Sequence, residues 1–393
     1  MKTDNDITLR TDRVWLAPER CWLDDFAALT ARGTDPADYP FAATVASGVP
    51  VYDGDAVRAA LAAPARRRAV QAEWVEAFLS GPGIVVLRGM FADHAVLDAT
   101  SDVFRAIIAE ERASHTGGGD HFAKPGANDR VWNALEKFCL RDPAGFAAYY
   151  GNTVLAAVSE AWLGPAYQVT SQVNVVNPGG AAQSPHRDYH LGFQSAEAGQ
   201  KYPAHVHRLS PALTLQGAVA HCDMPLETGP TLYLPYSQLY EPGYLAFNRP
   251  EFRAYFQEHH VQLALAKGDG VFFNPALFHA AGHNRSADVR RMANLLQVSS
   301  AFGRAMESVD RVRMTAALYP ALLAGGLSPE QTECAVAACA EGYSFPTNLD
   351  RDPPLYGLAP QTQQAFFLQA LTERWPAERF ANALAEQAAK RLT

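Results

Sequence analysis

The sequence predicts an α+β protein in which a β core, either a sandwich or a barrel, lies between helical segments. From about residue 166 to about residue 300, short runs of β-type residues alternate with turn signals such as Pro-Gly, Gly-Asp-Gly and Thr-Gly-Pro. The segments before and after this region carry apolar residues at helical spacing. With 393 residues, 48% of them hydrophobic, the chain is long enough to bury a full core.

The N-terminal part predicts an extension, then helices around one strand. Residues 1–71 are rich in Ala, Pro and Asp and have no long periodic pattern. Residues 74–79 fit a short amphipathic helix that a Gly-Pro-Gly turn ends, and "IVVLRG" at 84–89 is typical of a buried strand. Asp93 is placed to cap the helix that follows. We therefore expect the main domain to span residues 72–302.

The C-terminal part, residues 303–393, is expected to form a helical extension packed on the core. Ser328 begins a capping box with a proline at the first helical position. Residues 361–373 and 376–391 also have helical periodicity. The proline-rich stretch 345–360 predicts a long loop ahead of these last helices, and long ordered loops are often functional.

Composition argues against several classes of function. The formal net charge is −8 and the pI about 5.8, whereas a nucleic-acid partner requires a basic surface. No apolar run approaches the length of a membrane span. The first residues, "MKTDNDITLR", are polar and lack the apolar core of a signal peptide, so we expect a cytoplasmic protein. The five cysteines match no zinc-site spacing.

The stretch "SPHRDYHLGF", residues 184–193, is the first candidate for a metal site. Side chains alternate along a strand, so His186 and Asp188 would point the same way and Arg187 would point away. An imidazole and a carboxylate at this spacing can occupy adjacent corners of a coordination shell. One further imidazole would complete the two-His-one-carboxylate triad of Fe(II) enzymes, which leaves three positions open for a cosubstrate and O₂.

The third ligand must come from a distant strand, and His279 is the candidate. A Gly-Asp-Gly turn and an apolar strand precede it, and Arg290 follows eleven residues later, just before another strand. An enzyme that uses 2-oxoglutarate needs such an arginine. The keto-acid chelates iron at one end, and its far carboxylate requires a bidentate guanidinium.

Three segments in this order make residues 72–302 resemble the phytanoyl-CoA dioxygenase family of Fe(II)- and 2-oxoglutarate-dependent oxygenases. The segments are "NPGGAAQSPHRD", "CDMPLETGPTLYLPYSQ" and "HAAGHNRSADVR". The resemblance implies a double-stranded β-helix (jelly-roll, cupin-like) core flanked by N- and C-terminal helices. It also implies that His186, Asp188 and His279 hold Fe(II), and that Arg290 binds 2-oxoglutarate.

The resemblance bears on two ambiguities. His221 opens a second His-x-Asp sequence, but it falls where the family runs a core strand into a turn and not where it binds metal. Of the two adjacent arginines, the spacing favours Arg290, and Arg291 is expected at the surface or in a salt bridge. Three residues depart from the family's motifs and affect the expected shape of the 2-oxoglutarate pocket: Ala281, Tyr236 and Gln238.

Polar residues near these motifs are further candidates for the site. Gln172 and Asn174 share one face of the strand before the metal strand, and we expect them to bind the keto-acid or the substrate rather than face solvent. His190 has the parity of the metal ligands and is expected in the pocket wall, and His283 is a less favoured ligand than His279. Further candidates for a cosubstrate contact or a lid are Lys124, Trp132, Tyr356 and the loop 345–360.

The sequence therefore predicts a dioxygenase that uses Fe(II), 2-oxoglutarate and O₂ to hydroxylate a small organic metabolite, with release of succinate and CO₂. Asp188 favours hydroxylation or a variant such as desaturation, because related halogenases carry a small residue at this position. Two alternatives remain: a non-catalytic jelly-roll protein that binds a metabolite or metal, and a zinc hydrolase, which would need a general base and no Arg290. No nucleic-acid or membrane partner is expected. The two extensions would cover the pocket or build a homodimer interface.

Overall fold

The computed structural model describes residues 11, 13–114, 126–355 and 357–392. The strands in this part of the chain are β1 (Thr44–Ala46), β2 (Val49–Asp53), β3 (Ile84–Arg88), β4 (Asn128–Val131), β5 (Gln168–Val176), β6 (Thr214–Ala220), β7 (Leu232–Leu234), β8 (Val261–Gln262), β9 (Gly270–Phe273), β10 (Phe278–Ala280) and β11 (Arg291–Ser299). They form an eight-stranded sheet in the order β1-β2-β3-β9-β6-β11-β5-β4 and a three-stranded sheet in the order β10-β7-β8.

The large sheet is mostly antiparallel, and β2–β3 is its one parallel pair among the described strands. From β5 onward the chain alternates between the sheets. It passes from β5 to the edge of the small sheet, where His186 pairs with His279, and returns to the large sheet in β6. It then runs through β7 and β8, back to β9, across to β10 and back to β11. The predicted α+β class with a β core is confirmed in this form.

Helices precede, interrupt and follow the strands. The α-helices are α1 (Leu23–Thr30), α2 (Gly54–Leu61), α3 (Pro64–Leu79), α4 (His94–Ala113), α5 (Ala134–Arg141), α6 (Pro143–Tyr150), α7 (Thr153–Leu163), α8 (Ala196–Gly199), α9 (Ala204–Ala212), α10 (Gly243–Ala246), α11 (Pro250–His259), α12 (Arg311–Ala324), α13 (Pro329–Cys339), α14 (Gln363–Thr372) and α15 (Ala377–Lys390). Short 3-10 helices lie at Pro18–Arg20, Pro36–Asp38, His190–Phe193, Leu226–Thr228 and Ser237–Leu239.

Local signals in the sequence account for several of these boundaries. The Asp93 side chain accepts a hydrogen bond from the backbone N–H of Ala95 and so caps α4, as predicted. Ser328 and Gln331 form the predicted capping box at the start of α13. The predicted helix at 74–79 is the end of the longer α3, because the proline at residue 64 fits the first turn and the helix begins there.

The two faces of the large sheet have different partners, and the alternation along β11 shows this. Met292, Leu296 and Val298 point into the main hydrophobic core, which the helices cover. Ala293 and Leu295, on the opposite face, line a cavity between the sheets. Alternate residues of β11 therefore belong either to the hydrophobic core or to the wall of the cavity.

The segments before residue 72 and after residue 302 take part in the same architecture. β1 and β2 extend the edge of the large sheet, since Val51 of β2 pairs with Val86 of β3. Tyr319 of α12 stacks on Phe380 of α15, with ring centroids 4.0 Å apart, and both rings belong to the main core. Among the described residues no helix is both long and apolar enough to cross a membrane.

Candidate metal centre

Two histidines and one aspartate meet at the side of the cavity next to the small sheet. One ligand atom each from His186, Asp188 and His279 lies within 4.8 Å of the other two. The Nε2 atom of His279 is 3.3 Å from Asp188 Oδ2, and the Nε2 atom of His186 is 3.8 Å from Asp188 Oδ1. Atoms about 2.1 Å from one ion at right angles would be about 3 Å apart, so this set is close to a coordination geometry. The three predicted ligands therefore converge.

Backbone pairing brings the distant histidine to the other two residues. The backbone N–H of His186 donates to the carbonyl of His279 at 2.9 Å, and the N–H of His279 donates back at 3.1 Å. Residues that exchange both hydrogen bonds in an antiparallel pair present their side chains on the same face. The N–H of Asp188 donates to the carbonyl of Pro275, which holds the third residue beside the turn that leads into β10.

Hydrogen bonds to carbonyl oxygens fix which nitrogen of each imidazole faces the centre. His186 Nδ1 lies 2.9 Å from the carbonyl oxygen of Ser184, and His279 Nδ1 lies 2.8 Å from that of Leu277. A carbonyl oxygen can only accept, so each Nδ1 carries the proton and donates. Nε2 of each ring is therefore the atom that faces Asp188, and it is the nitrogen that would bind a metal ion.

The charge state of the centre suits a cation. Burial raises the pKa of Asp188, but the adjacent His186 and His279 and a hydrogen bond from Gln216 outweigh it, so this pKa is lowered. The Nε2 amide of Gln216 donates to Asp188 Oδ2 at 2.5 Å. Burial and the neighbouring His279 lower the pKa of His186. The centre thus combines one carboxylate with two imidazoles, the donor set of a divalent transition-metal site.

Arg187 anchors the segment that carries two of the three residues. As predicted, its side chain points away from its neighbours' ligand atoms, and it is 2% exposed. Its Nη2 atom donates to the carbonyls of Ser237 and Tyr240, and its guanidinium lies over the rings of Tyr244 and Phe278. These contacts attach the segment 186–188 to the 3-10 helix after β7, to α10 and to β10. The three converging residues are therefore held by a rigid support.

The structure corrects the expectation that Arg291 lies at the surface or in a salt bridge. Arg290 precedes β11, is exposed, and donates from Nε to Asn177 Oδ1 at 3.1 Å. Arg291 is the first residue of β11 and is in register with Val176, so it shares the inward face of Ala293 and lines the cavity. A shift of one residue in the assumed register exchanges the two faces, which is why the sequence placed Arg291 at the surface.

Arg291 is a buried cation in this cavity. It is 7% exposed, and its Nη1 atom has no hydrogen-bond partner among the described residues. Burial lowers the pKa of Arg291 to about 10, so the guanidinium remains protonated at neutral pH. Leaving such a group unpaired is costly, which indicates that this end of the cavity is built for an anionic ligand.

The cavity is large enough for two small molecules beside a metal ion. Its volume is about 760 Å³, toward the upper end of the range of about 300–1,000 Å³ that is usual for small-molecule sites. Asn174 lines it, and Asn174 Oδ1 has no partner among the described residues. Gln172 is fully buried beside Met306, and its Oε1 faces Gln297 Nε2 at 3.5 Å.

Among the described residues, the remaining candidates from the sequence do not line the cavity. His221 bonds Ser101 through Nδ1 and Tyr149 through Nε2, so both ring nitrogens are used within the core. His190 does not continue the face of the metal ligands, because the backbone turns at Tyr189, which has φ 63°. His283 is exposed, Trp132 lies under the Arg130 guanidinium, and Lys124 and Tyr356 fall outside the described residues.

Two cavity residues were not predicted from the sequence. Gln216 is the one amide of β6, and Gln297 is one of two amides of β11, the other being Asn294. The signal that would have found them is parity: each shares its strand face with small or apolar cavity residues, Ala218 for the first and Leu295 for the second.

Comparison with known proteins places most of the chain in one family. The model of the family described as phytanoyl-CoA dioxygenase (PhyH) matches residues 67–292. The curated proteins contain no match to the chain. Similar solved structures include the epimerase SnoN in complex with Fe³⁺, alpha-ketoglutarate and nogalamycin RO, with 19% identity over 61% of this chain and 85% of that one and a TM-score of 0.41. The alpha-ketoglutarate-dependent carbocyclase SnoK from nogalamycin biosynthesis has 19% identity over 58% of this chain and 83% of that one, with a TM-score of 0.40.

Proposed function

Because the chain belongs to the phytanoyl-CoA dioxygenase family of non-haem iron enzymes that use 2-oxoglutarate, we propose that it hydroxylates a C–H bond of a small organic metabolite. Fe(II), 2-oxoglutarate and O₂ are the cofactor and cosubstrates. The observation that carries the proposal is the convergence of His186, Asp188 and His279 on the wall of a cavity that also contains a buried arginine.

The three converging residues are the proposed Fe(II) ligands. Two neutral imidazoles and one carboxylate leave three coordination positions open, which suits a bidentate keto-acid and O₂. Bound iron would supply the activation of O₂ that a C–H bond requires. The chain's part is to present Nε2 of His186, Nε2 of His279 and the Asp188 carboxylate in fixed positions, which the Nδ1 hydrogen bonds and the Gln216 amide support.

Arg291 is the proposed partner of the distal carboxylate of 2-oxoglutarate. Its guanidinium can offer two parallel N–H donors to a carboxylate, and burial strengthens such a pair relative to one in water. Arg290 is not proposed for this role, since its side chain is exposed and lies outside the cavity. Asn174 also lines the cavity, and we propose that it contacts the keto-acid or the substrate, whereas Gln172 acts through Gln297.

We further propose that the two sheets form a double-stranded β-helix, or jelly roll, which residues 72–302 build around the site. The alternation of strands between the sheets from β5 to β11 supports this architecture. The extensions 1–71 and 303–393 then support the β core from its edge and from its helical side. Aliphatic and aromatic walls, such as Leu263 and Phe273, would keep water from the reaction.

The experiment is anaerobic loading of the full chain with Fe(II) and 2-oxoglutarate, followed by O₂ and measurement of succinate. We expect slow succinate release without substrate and a large stimulation when a panel of small metabolites includes the substrate. His279→Ala should remove both, and Arg290→Gln, which alters an exposed arginine, should leave both unchanged. Succinate release that is equal in the wild-type protein and His279→Ala, or hydrolysis supported by zinc alone, would contradict the proposal.

A further inference from the structure

Two buried amides form a pair in the cavity beside the metal centre. Gln216 of β6 and Gln297 of β11 lie directly opposite each other in the large sheet, and both line the cavity. Opposed residues in antiparallel strands have Cβ atoms about 4.5–5.5 Å apart, so the two amides are neighbours. They are 3% and 7% exposed, which means that solvent does not satisfy their polar atoms.

The orientation of the Gln216 amide follows from its partner. Gln216 Nε2 donates to Asp188 Oδ2 at 2.5 Å. An amide nitrogen donates and carboxylate oxygens accept, so the nitrogen of this amide faces Asp188. The oxygen, Oε1, is therefore turned away from Asp188 and remains an acceptor.

The orientation of the Gln297 amide follows from its contact with Gln172. Gln172 donates from Nε2 to the sulfur of Met306 at 3.8 Å, because a thioether sulfur can only accept. The oxygen of Gln172 therefore faces Gln297, whose Nε2 donates to it at 3.5 Å. Oε1 of Gln297 is the atom left over, and it is also an acceptor.

Neither of these two oxygens has a hydrogen-bond partner within the described part of the chain. A buried acceptor without a donor is unfavourable, so a ligand that brings donors would be bound selectively. 2-Oxoglutarate cannot be that ligand, because two carboxylates and a keto group offer only acceptors at neutral pH. O₂ has no donor either.

We propose that Gln216 and Gln297 are a specificity site that accepts hydrogen bonds from a hydroxyl or N–H group of the primary substrate. This inference rests on the proposed oxygenase function and names the class of substrate: a compound with a donor group close to the carbon that reacts. A donor held by two amides, one of which also contacts Asp188, fixes that carbon beside the metal ligands. An analogue without the donor leaves both oxygens unpaired and is rejected.

The test uses matched probes on the full chain loaded with Fe(II) and 2-oxoglutarate without O₂. The probes are benzyl alcohol against benzyl methyl ether, and benzamide against N,N-dimethylbenzamide, with binding and proximity to iron followed by NMR line broadening. We expect the donor-bearing member of at least one pair to bind about tenfold more tightly than its methylated counterpart. Preference for the alcohol pair alone or the amide pair alone assigns the donor as hydroxyl or N–H.

The variant Gln297→Leu should reduce this preference to less than about twofold. The control variant Gln387→Leu, which alters a glutamine of the C-terminal helix α15, should retain the preference. Binding of 2-oxoglutarate should be equal in all three proteins, which shows that the variants are folded. No preference in the wild-type protein, or an undiminished preference in Gln297→Leu, would overturn the inference. If the wild-type protein does not bind 2-oxoglutarate, that result would instead count against the proposed function.

Discussion

Replacement of Arg291 is the sharpest test of how the cavity holds its cosubstrate. In Arg291→Gln the positive charge is lost, and with it two charge-assisted hydrogen bonds to the distal carboxylate of 2-oxoglutarate. Each such bond contributes about 1.5–3 kcal/mol, so a total loss of about 3 kcal/mol or more is expected. This corresponds to a rise of at least about 150-fold in the dissociation constant. In the free protein Nη1 of Arg291 has no partner among the described residues, so the loss falls mainly on the complex.

Two further variants give the measurement its controls. Arg291→Lys keeps the charge but loses the planar fork, and we expect a rise of about tenfold in the dissociation constant. Arg290→Gln alters the exposed neighbour, whose Nε contacts Asn177, and should change it by less than about twofold. Calorimetric titration of 2-oxoglutarate into the Fe(II)-loaded, O₂-free proteins measures all three. The reasoning is refuted if Arg290→Gln weakens binding strongly and Arg291→Gln does not.

Two other predictions concern residues around the cavity and the core. Gln216→Leu removes the amide donor to Asp188 and should weaken Fe(II) binding about 10- to 100-fold, measured by competition with a metal chelator; an unchanged affinity would show that the amide does not support the ligand. Burial lowers the pKa of His221 to about 3 from 6.5, so between these values the unfolded chain binds a proton that the folded protein does not. The free energy of unfolding should therefore fall as the pH falls through this window, with His221 contributing at most about 1.4 kcal/mol per pH unit. Urea unfolding at about pH 7 and about pH 5 should show a smaller decrease for His221→Gln than for the wild-type protein, and equal decreases would contradict the assignment.

The convergence of His186, Asp188 and His279 was predictable because its signal is local and chemical. His186 and Asp188 are two residues apart in an extended segment, and His279 lies in the one distant segment whose motif could supply a third imidazole. The backbone pair between the two histidines realises this expectation. Polar residues spaced two apart in an extended segment therefore predict which side chains lie on the same face in the folded protein.

Which arginine faces inward, and which two glutamines become neighbours, depends on strand register. Arg290 and Arg291 are chemically identical, and only the pairing of β11 with β5 decides which one faces inward. Gln216 and Gln297 are far apart in sequence and become neighbours through the pairing of β6 with β11. Sequence patterns along one strand do not specify such cross-strand partners.

The reciprocal backbone hydrogen bonds between His186 and His279 have a consequence for metal selectivity. Together with the Nδ1 hydrogen bonds, they set the spacing and orientation of the two imidazoles for any divalent cation that binds there. A competing cation such as Zn²⁺ would therefore meet the same set of donors as Fe(II). Selection of the correct ion would thus depend on supply in the cell more than on the fold.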